Sequence, residues 1–384
     1  MSFAKLPVLR HGLMTRDREL LADSDVAGRI AKTRQLMLEK DVNVLLVYSD
    51  PTNNGPVCYL TNYPCFGMGR RATAVLGRED GPFLFTAEPS RNLPRVRLFT
   101  TCDLEKTRQF MSAAVERAKK LAGKGRIGLV GLTNMPAGVV KDAKGLDETE
   151  TADLSPDFAR LMAAQDASAR GAQQRSQELA EQGLKLITEL AATGKDLWEI
   201  AATVDHRLRL AGCEDTNILL NCSAGGPLRP AYPDQKRPLP GDMVVAYLAV
   251  QCARLWGVIG DTLAVGTDDS RLRDGGARLG RAQNKIAAVL KAGMTLGEAE
   301  AAILTSGREA GLALAQDVPL VTGTGFDLHE YPLAAEDLLD KDAVLQVALT
   351  VDFPEGYTGM VVDLLQVREK DSRWLTGKNE GAAA

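Results

Sequence analysis

Side chains suited to proton transfer are few in this chain. Only three histidines occur, His11, His206 and His329. His329 is followed by Glu330, and an imidazole beside a carboxylate can act as a general acid or base near neutral pH. The competing reading is a hydrogen-bonded structural histidine with Glu330 on the opposite face. His206 lies in a helical stretch, Val204-Asp-His-Arg-Leu208, that reads as surface, and His11 lies in the N-terminal tail. Asp261 and Asp363 stand inside apolar runs, Gly257-Val-Ile-Gly-Asp-Thr-Leu263 and Met360-Val-Val-Asp-Leu-Leu365. A carboxylate buried there needs a partner. Arg254, Arg229 or Thr262 would supply one, so catalysis and structural satisfaction both stay open. Arg229, Tyr232 and Arg237 sit in a Pro-rich loop, where an arginine can take a ligand carboxylate bidentately or stay solvated.

Other chemistries are restricted by the same residues. Three histidines nearly exclude a multi-histidine metal centre and leave any Ser-His or Cys-His mechanism three candidates. The six cysteines, 58, 65, 102, 213, 222 and 252, form no Cys-x-x-Cys pair and read as free thiols of a reducing cytoplasm. Gly67-Met-Gly-Arg-Arg71 lacks the Gly-Lys-Ser/Thr ending of a phosphate loop. Forty-six Lys and Arg against fifty Asp and Glu leave a charge of −4 with no basic block, so no nucleic-acid partner is expected. No apolar run reaches about 18 residues, so no membrane span is expected. The first residues lack a long apolar segment, so no secretory signal is expected and the chain reads as cytoplasmic.

These groups need elements to position them. At roughly 150 residues per domain, 384 residues imply two domains. Residues 1–25 read as a tail and 26–150 as an α/β domain. In that domain Val26–Lys40 reads as a helix and Val42–Tyr48 as a buried strand. Val57–Leu60, Ala72–Leu76 and Gly81–Thr86 read as short strands. Leu104–Leu121 reads as a helix and Arg126–Val130 as a strand. Residues 141–157 suit a linker, and 158–192 one long helix.

Residues 151–384 contain a repeat. Ile187/Ile286, Gly194/Gly293, Leu197/Leu296, Glu199/Glu298 and Gly212/Gly311 share one offset of 99. The same offset joins Tyr232-Pro233 to Tyr331-Pro332, Leu239 to Leu338 and Val245 to Val344. Each copy reads helix, Gly-x-x-Leu-x-Glu, helix, Gly, and then strands. Two αα-ββ units related by a pseudo-two-fold would join their strands into one curved sheet with helices outside. A ligand cleft would lie on the inner face, where both copies contribute.

This arrangement resembles the pita-bread fold of the creatinase, prolidase and aminopeptidase P superfamily, over about Val26–Leu375. Gly241-Asp242 before an apolar strand carries the resemblance, as do Gly194 and Gly293 in the helix hairpins. So does Gly323-Thr-Gly-Phe-Asp-Leu-His-Glu-Tyr-Pro332, which matches a Gly-His-Gly…His-Glu-x-Pro segment. The resemblance implies a creatinase-like N-terminal α/β domain, a C-terminal pita-bread α+β domain and a homodimer. Peptidases of that superfamily hold two divalent metals with two Asp, one His and two Glu, ligands suited to hard cations. Those positions fall here on Tyr247, Val258, Thr324, Ala348 and Val362, with Asp261 the alternative at the second if the hairpin is shorter and Asp363 at the last if the register is one residue off. The substrate-side histidine falls on Ala231. Creatinase works without metal, yet its histidine and glutamate positions read Ala231, Ala348 and Val362.

The expectation is therefore a divergent member without metal or other cofactor. One reading is a metal-independent hydrolase of a small amide, amidine or dipeptide-like compound. It would use His329 as acid/base, with Glu330, Asp363 or Asp261 orienting it. The other is a catalytically silent ligand-binding or scaffold protein. Tyr247, Thr324, Arg229 and Tyr232 are the candidate ligand contacts in either.

Overall fold

The computed structural model describes residues 18–65, 71–100, 102–146, 150–266, 269–330 and 334–376. His11, most of Gly67–Arg71 and the Tyr331-Pro332 dipeptide lie outside them. Two compact units divide the chain. One holds the described residues of Arg16–Ala169 and Gly325–Tyr331; the other holds those of Arg170–Thr324 and Pro332–Ala384.

The first unit runs α1 (Asp23–Glu39), β1 (Val44–Ser49), α2 (Gly55–Thr61), β2 (Ala72–Gly77), β3 (Phe83–Thr86), α3 (Leu93–Phe99), β4 (Asp103–Lys106), α4 (Phe110–Ala122), β5 (Ile127–Val130), α5 (Ala137–Asp142), β6 (Thr151–Asp153) and α6 (Ser155–Ala163). Its six strands are ordered β4-β3-β2-β1-β5-β6. Every residue of β1 and β2 is buried. Burial on both faces explains why these strands are continuous apolar runs without alternation. Phe110, Met111, Ala114, Val115 and Ala118 form the apolar stripe of α4 and pack with Val44, Leu46, Tyr48, Val75 and Phe85.

Four expectations need correction here. Val57–Leu60 is helical, within α2. All seven residues of that helix are buried, so no period is visible, and Pro56 at its start needs no N–H partner. Leu104–Lys106 is strand β4, and the helix begins only at Phe110. The expected linker contains β6, which pairs parallel with β5. The long helix is broken between α6 and α7 (Ala167–Ala191). Asp166 causes that break: it accepts the Ala169 N–H at 2.8 Å and the Arg29 Nε at 2.6 Å.

The second unit continues from α7 with α8 (Leu197–Leu210), β7 (Asp215–Ser223), β8 (Met243–Cys252), β9 (Leu255–Ala264), α9 (Ser270–Val289), α10 (Leu296–Glu309), β10 (Val321–Gly323), β11 (Val344–Phe353), β12 (Tyr357–Val367) and β13 (Ser372–Trp374). The repeat is present in its helices. α8 and α10 both span 14 residues and start 99 apart. Each opens with a capping box, Asp196 with Glu199 and Thr295 with Glu298. The equivalent turn glycines, Gly194 and Gly293, have φ of 75° and 86°.

The strands form a sheet ordered β10-β11-β12-β9-β8-β7, with β13 on β12. The hairpins β8–β9 and β11–β12 are long, but they join through only Val361–Asp261 and Val362–Gly260. Beyond that junction α7 completes the edge of β9. Gln177 Nε2 donates to the Val258 carbonyl at 2.9 Å and Gln177 Oε1 accepts the Val258 N–H at 2.8 Å. Gln173 Nε2 donates to the Trp256 carbonyl at 2.9 Å. The helix comes so close that a Cβ at Gly257 would lie 2.3 Å from the Gln177 nitrogen.

The β8–β9 turn places two non-glycine residues, Ala253 and Arg254, at φ of 47° and 71°. A left-handed residue costs about 1–2 kcal/mol. Glu214, buried, offsets this: it accepts the Arg254 N–H at 3.0 Å and pairs with the buried Arg254 guanidinium. Glu214→Ala should destabilise the chain by about 3–5 kcal/mol, because Arg254 would be left buried and unpaired. Ala253→Gly should stabilise it by about 1 kcal/mol. Urea midpoints measure both, and a loss below about 1 kcal/mol for Glu214→Ala would remove the pair as the anchor of this turn.

Candidate functional site

The β8–β9–β12–β11 register decides which side chains share a face of the sheet. Tyr247, Gly260, Val362 and Ala348 stand directly opposite one another across β8, β9, β12 and β11. Val258 is two residues from Gly260 and so shares their face. Four of the five expected metal positions thus lie together on one face of the second unit. They carry a phenol, a methyl and two isopropyl groups. Thr324, the fifth, follows β10; it is buried, and its carbonyl accepts Gln173 Nε2 at 3.2 Å. Tyr247 reaches from β8 to β11, where its hydroxyl donates to Gln346 Oε1 at 3.2 Å. Burial raises its pKa. Among the described residues, no three His, Cys, Asp or Glu are grouped so that they could hold a metal ion.

Asp261 and Asp363 lie on the other face. Asp261 stands opposite Ala246 and Val361, and Asp363 is two residues past Val361. Ala246 and Leu248 pack in the helix-facing core, with Gly183 of α7 against Leu248. Both aspartates therefore lie on the face opposite Tyr247, because one step in a strand reverses the face. Asp363 is 2% exposed and is satisfied locally. It accepts Gln177 Nε2 at 3.2 Å, its neighbour Leu364 N–H at 2.7 Å, and the Thr376 hydroxyl. Asp261 accepts the Thr262 N–H at 2.8 Å.

Arg229 is also committed within the protein. Nη1 and Nη2 pair with the two Asp352 oxygens at 2.8 Å each, and Nε and Nη2 reach Asp317 at 3.1 and 3.3 Å. Nη1 also donates to the Leu228 carbonyl at 2.9 Å. All five guanidinium protons are used, so Arg229 does not offer the ligand contact expected of it. Tyr232 is exposed in the same loop.

His329 and Glu330 belong to the first unit. His329 is exposed and makes no hydrogen bond or ion pair among the described residues. Partial desolvation draws its imidazole below the ordinary value. Glu330 instead accepts the Phe326 N–H of its own loop at 3.0 Å. The group that sequence reasoning missed is Asp327. It is buried, and its two oxygens accept the Asn54 and Gly55 N–H groups at 2.8 and 2.7 Å. Its apolar-looking neighbours, Gly325-Phe326 and Leu328, gave no signal of this. Burial raises Asp327 to about 7 despite those donors, with Asp50 adding repulsion. Burial, then repulsion from Asp327, raises Glu330 to about 8.

Raised carboxyl pKa values mean that the folded chain holds protons the unfolded chain has already lost. The stability they contribute is complete in acid and falls as pH rises through about 7 and then 8. Urea midpoints between pH 5.5 and 8.5 should therefore decline, by up to about 1.4 kcal/mol per pH unit for each group. Asp327→Asn and Glu330→Gln should each flatten that slope. An unchanged slope in both variants would remove these carboxyls as its source.

Comparison with known proteins gives the context of this geometry. The pattern of metallopeptidase family M24 matches residues 172–368. No curated protein matches the chain. Among solved structures, the prolidase from Pyrococcus horikoshii OT3 is 19% identical, with a TM-score of 0.74 over 91% of this chain and 98% of that one. The X-Pro aminopeptidase from Thermotoga maritima MSB8 is 15% identical, with a TM-score of 0.75 over 90% and 97%. The Xaa-Pro dipeptidase from Bacillus anthracis is 17% identical, with a TM-score of 0.74 over 91% and 97%. At these identities the likeness is one of fold, and it includes the pita-bread arrangement. The chain has the fold of prolidases and an X-Pro aminopeptidase, and it belongs to metallopeptidase family M24.

Proposed function

We propose that this family member has lost the dinuclear metal site, and with it metal-dependent peptide hydrolysis, and that its sheet serves as a ligand-binding scaffold. The observation that carries the reading is the row Tyr247, Gly260, Val362 and Ala348. A pair of hard divalent cations needs several carboxylate oxygens and an imidazole. The row offers one phenolic hydroxyl, and that is already bonded to Gln346. Asp261 and Asp363 do not replace the missing oxygens, because the sheet lies between them and Tyr247. This donor set does not fit the metal pair.

Metal-independent hydrolysis has less support. His329 as acid/base needs an orienting carboxylate, and Glu330 is bonded to backbone N–H instead. A binding role needs fewer placed groups, and the Tyr247 face carries the unpartnered Thr322 hydroxyl opposite Gln346.

The test is elemental analysis of the full chain after dialysis against manganese, cobalt or zinc, together with an assay on an Xaa-Pro dipeptide. The expected result is metal far below one ion per chain and no turnover above buffer. Stoichiometric metal with metal-dependent turnover would overturn the proposal.

A further inference from the structure

The face that carries Tyr247 extends along β11 toward its first residue. Thr322 on β10 stands directly opposite Gln346. Val344, two residues before Gln346, stands opposite Gln366, which stands opposite Arg373 on β13. Residues two apart on a strand share a face, so these groups form adjacent rows about 7 Å apart.

The first row holds unused donors. Gln346 is 8% exposed. Its Oε1 is taken by Tyr247, and its amide NH2 makes no bond among the described residues. Thr322 Oγ1 is buried and has no hydrogen-bond partner. The Thr322 hydroxyl is a buried group without a partner, which is unfavourable, and a ligand oxygen beside it would satisfy it while also reaching the Gln346 amide.

The second row opens into a pocket lined by Arg170, Gln174, Val344, Gln366, Arg373 and Leu375. Its charged lining is two guanidiniums. Arg170 reaches Asp342 at 3.4 Å, and Asp342 also accepts Gln366 Nε2 at 3.0 Å. Arg373 makes no ion pair among the described residues. Arg373 thus brings to the pocket a guanidinium that no described carboxylate pairs with. Planar forks of this kind select oxyanions, and Val344 and Leu375 supply an apolar wall beside them.

We propose that this face binds a small molecule through an oxyanion, carboxylate or phosphate, held by Arg170 and Arg373. A second acceptor of the ligand, such as an amide carbonyl about 7 Å away, is held by Gln346 and Thr322. The proposal deepens the metal-free reading of the same face and rests on it.

Isothermal titration calorimetry of the EDTA-treated full chain tests this with two probes. Inorganic phosphate reports the arginine pocket alone. N-acetylglycylglycine carries a carboxylate and amide carbonyls. Arg373→Ala, an exposed change compatible with folding, should weaken both probes about tenfold or more. Gln346→Leu and Thr322→Val should each weaken the peptide probe about tenfold and leave phosphate within about twofold. Thermal melts report whether these two remain folded, and Gln346→Glu is the second variant at that position. It should also weaken the peptide, by setting a charge against its carbonyl. Tighter binding of the peptide than of phosphate is the expected order. Failure of both probes to bind below about 10 mM, or binding indifferent to Arg373→Ala, would overturn the oxyanion site. Peptide binding indifferent to the Gln346 and Thr322 variants would overturn the second contact. Metal uptake in the separate elemental analysis would sink the metal-free reading, whereas Arg373-dependent binding by the EDTA-treated chain would remain as its own result.

Discussion

Two residue pairs join the halves of the large sheet, Val361–Asp261 and Val362–Gly260. Everything about the candidate site depends on that junction. Past it the two hairpins separate, and buried backbone groups of β9 would lose their partners. The Gln173 and Gln177 amides of α7 replace the missing strand. An amide side chain offers one donor and one acceptor, as a peptide unit does, so it can stand in for a ladder. The register that results is narrow, and it sets which residues meet across the pseudo-two-fold.

Alternation then separates structure from function within single strands. Val362 and Asp363 are neighbours in sequence and lie on opposite faces. The carboxylate goes under α7, where it ties Gln177 and Thr376, and the isopropyl group goes to the face that carries Tyr247 and Ala348. Tyr247 crosses that face to Gln346. Its hydroxyl is satisfied inside the sheet, at a position where the family resemblance implies a metal ligand. The same face keeps Gln346 and Thr322 polar, whereas a merely filled face would be apolar throughout.

Much of the fold was legible in the sequence. The repeat appeared as a constant offset because both copies need the same capping carboxylates and the same left-handed glycines, and these are fixed by local backbone chemistry. The strands that carry Tyr247, Ala348 and Val362 were also legible, since the apolar runs and the turns bound them, but their exact register was not. Less legible were the short elements of the first unit. α2 is buried all round, so its helical period left no trace. The partners of Asp363 and Arg229 were not legible for another reason. These partners, Gln177, Thr376, Asp317 and Asp352, are distant in sequence, and pairing of that kind leaves no local pattern. Asp327 escaped notice because it is bound by backbone N–H groups, which every residue possesses.

The attachment of Asp327 to Asn54 and Gly55 spans more than 270 residues of chain. The start of α2 therefore receives its acceptor from a segment made much later in synthesis. Phe326, from the same segment, stacks edge-on against Tyr59 and beside the buried Arg29 guanidinium. The N-terminal α/β unit is thus completed by residues that lie beyond most of the other unit in the sequence. A ribosome-bound chain that ends before residue 325 would present this unit with two backbone N–H groups and an aromatic face uncovered. The boundary between the units is one of packing, and a fragment cut at that boundary would not carry all of its own core.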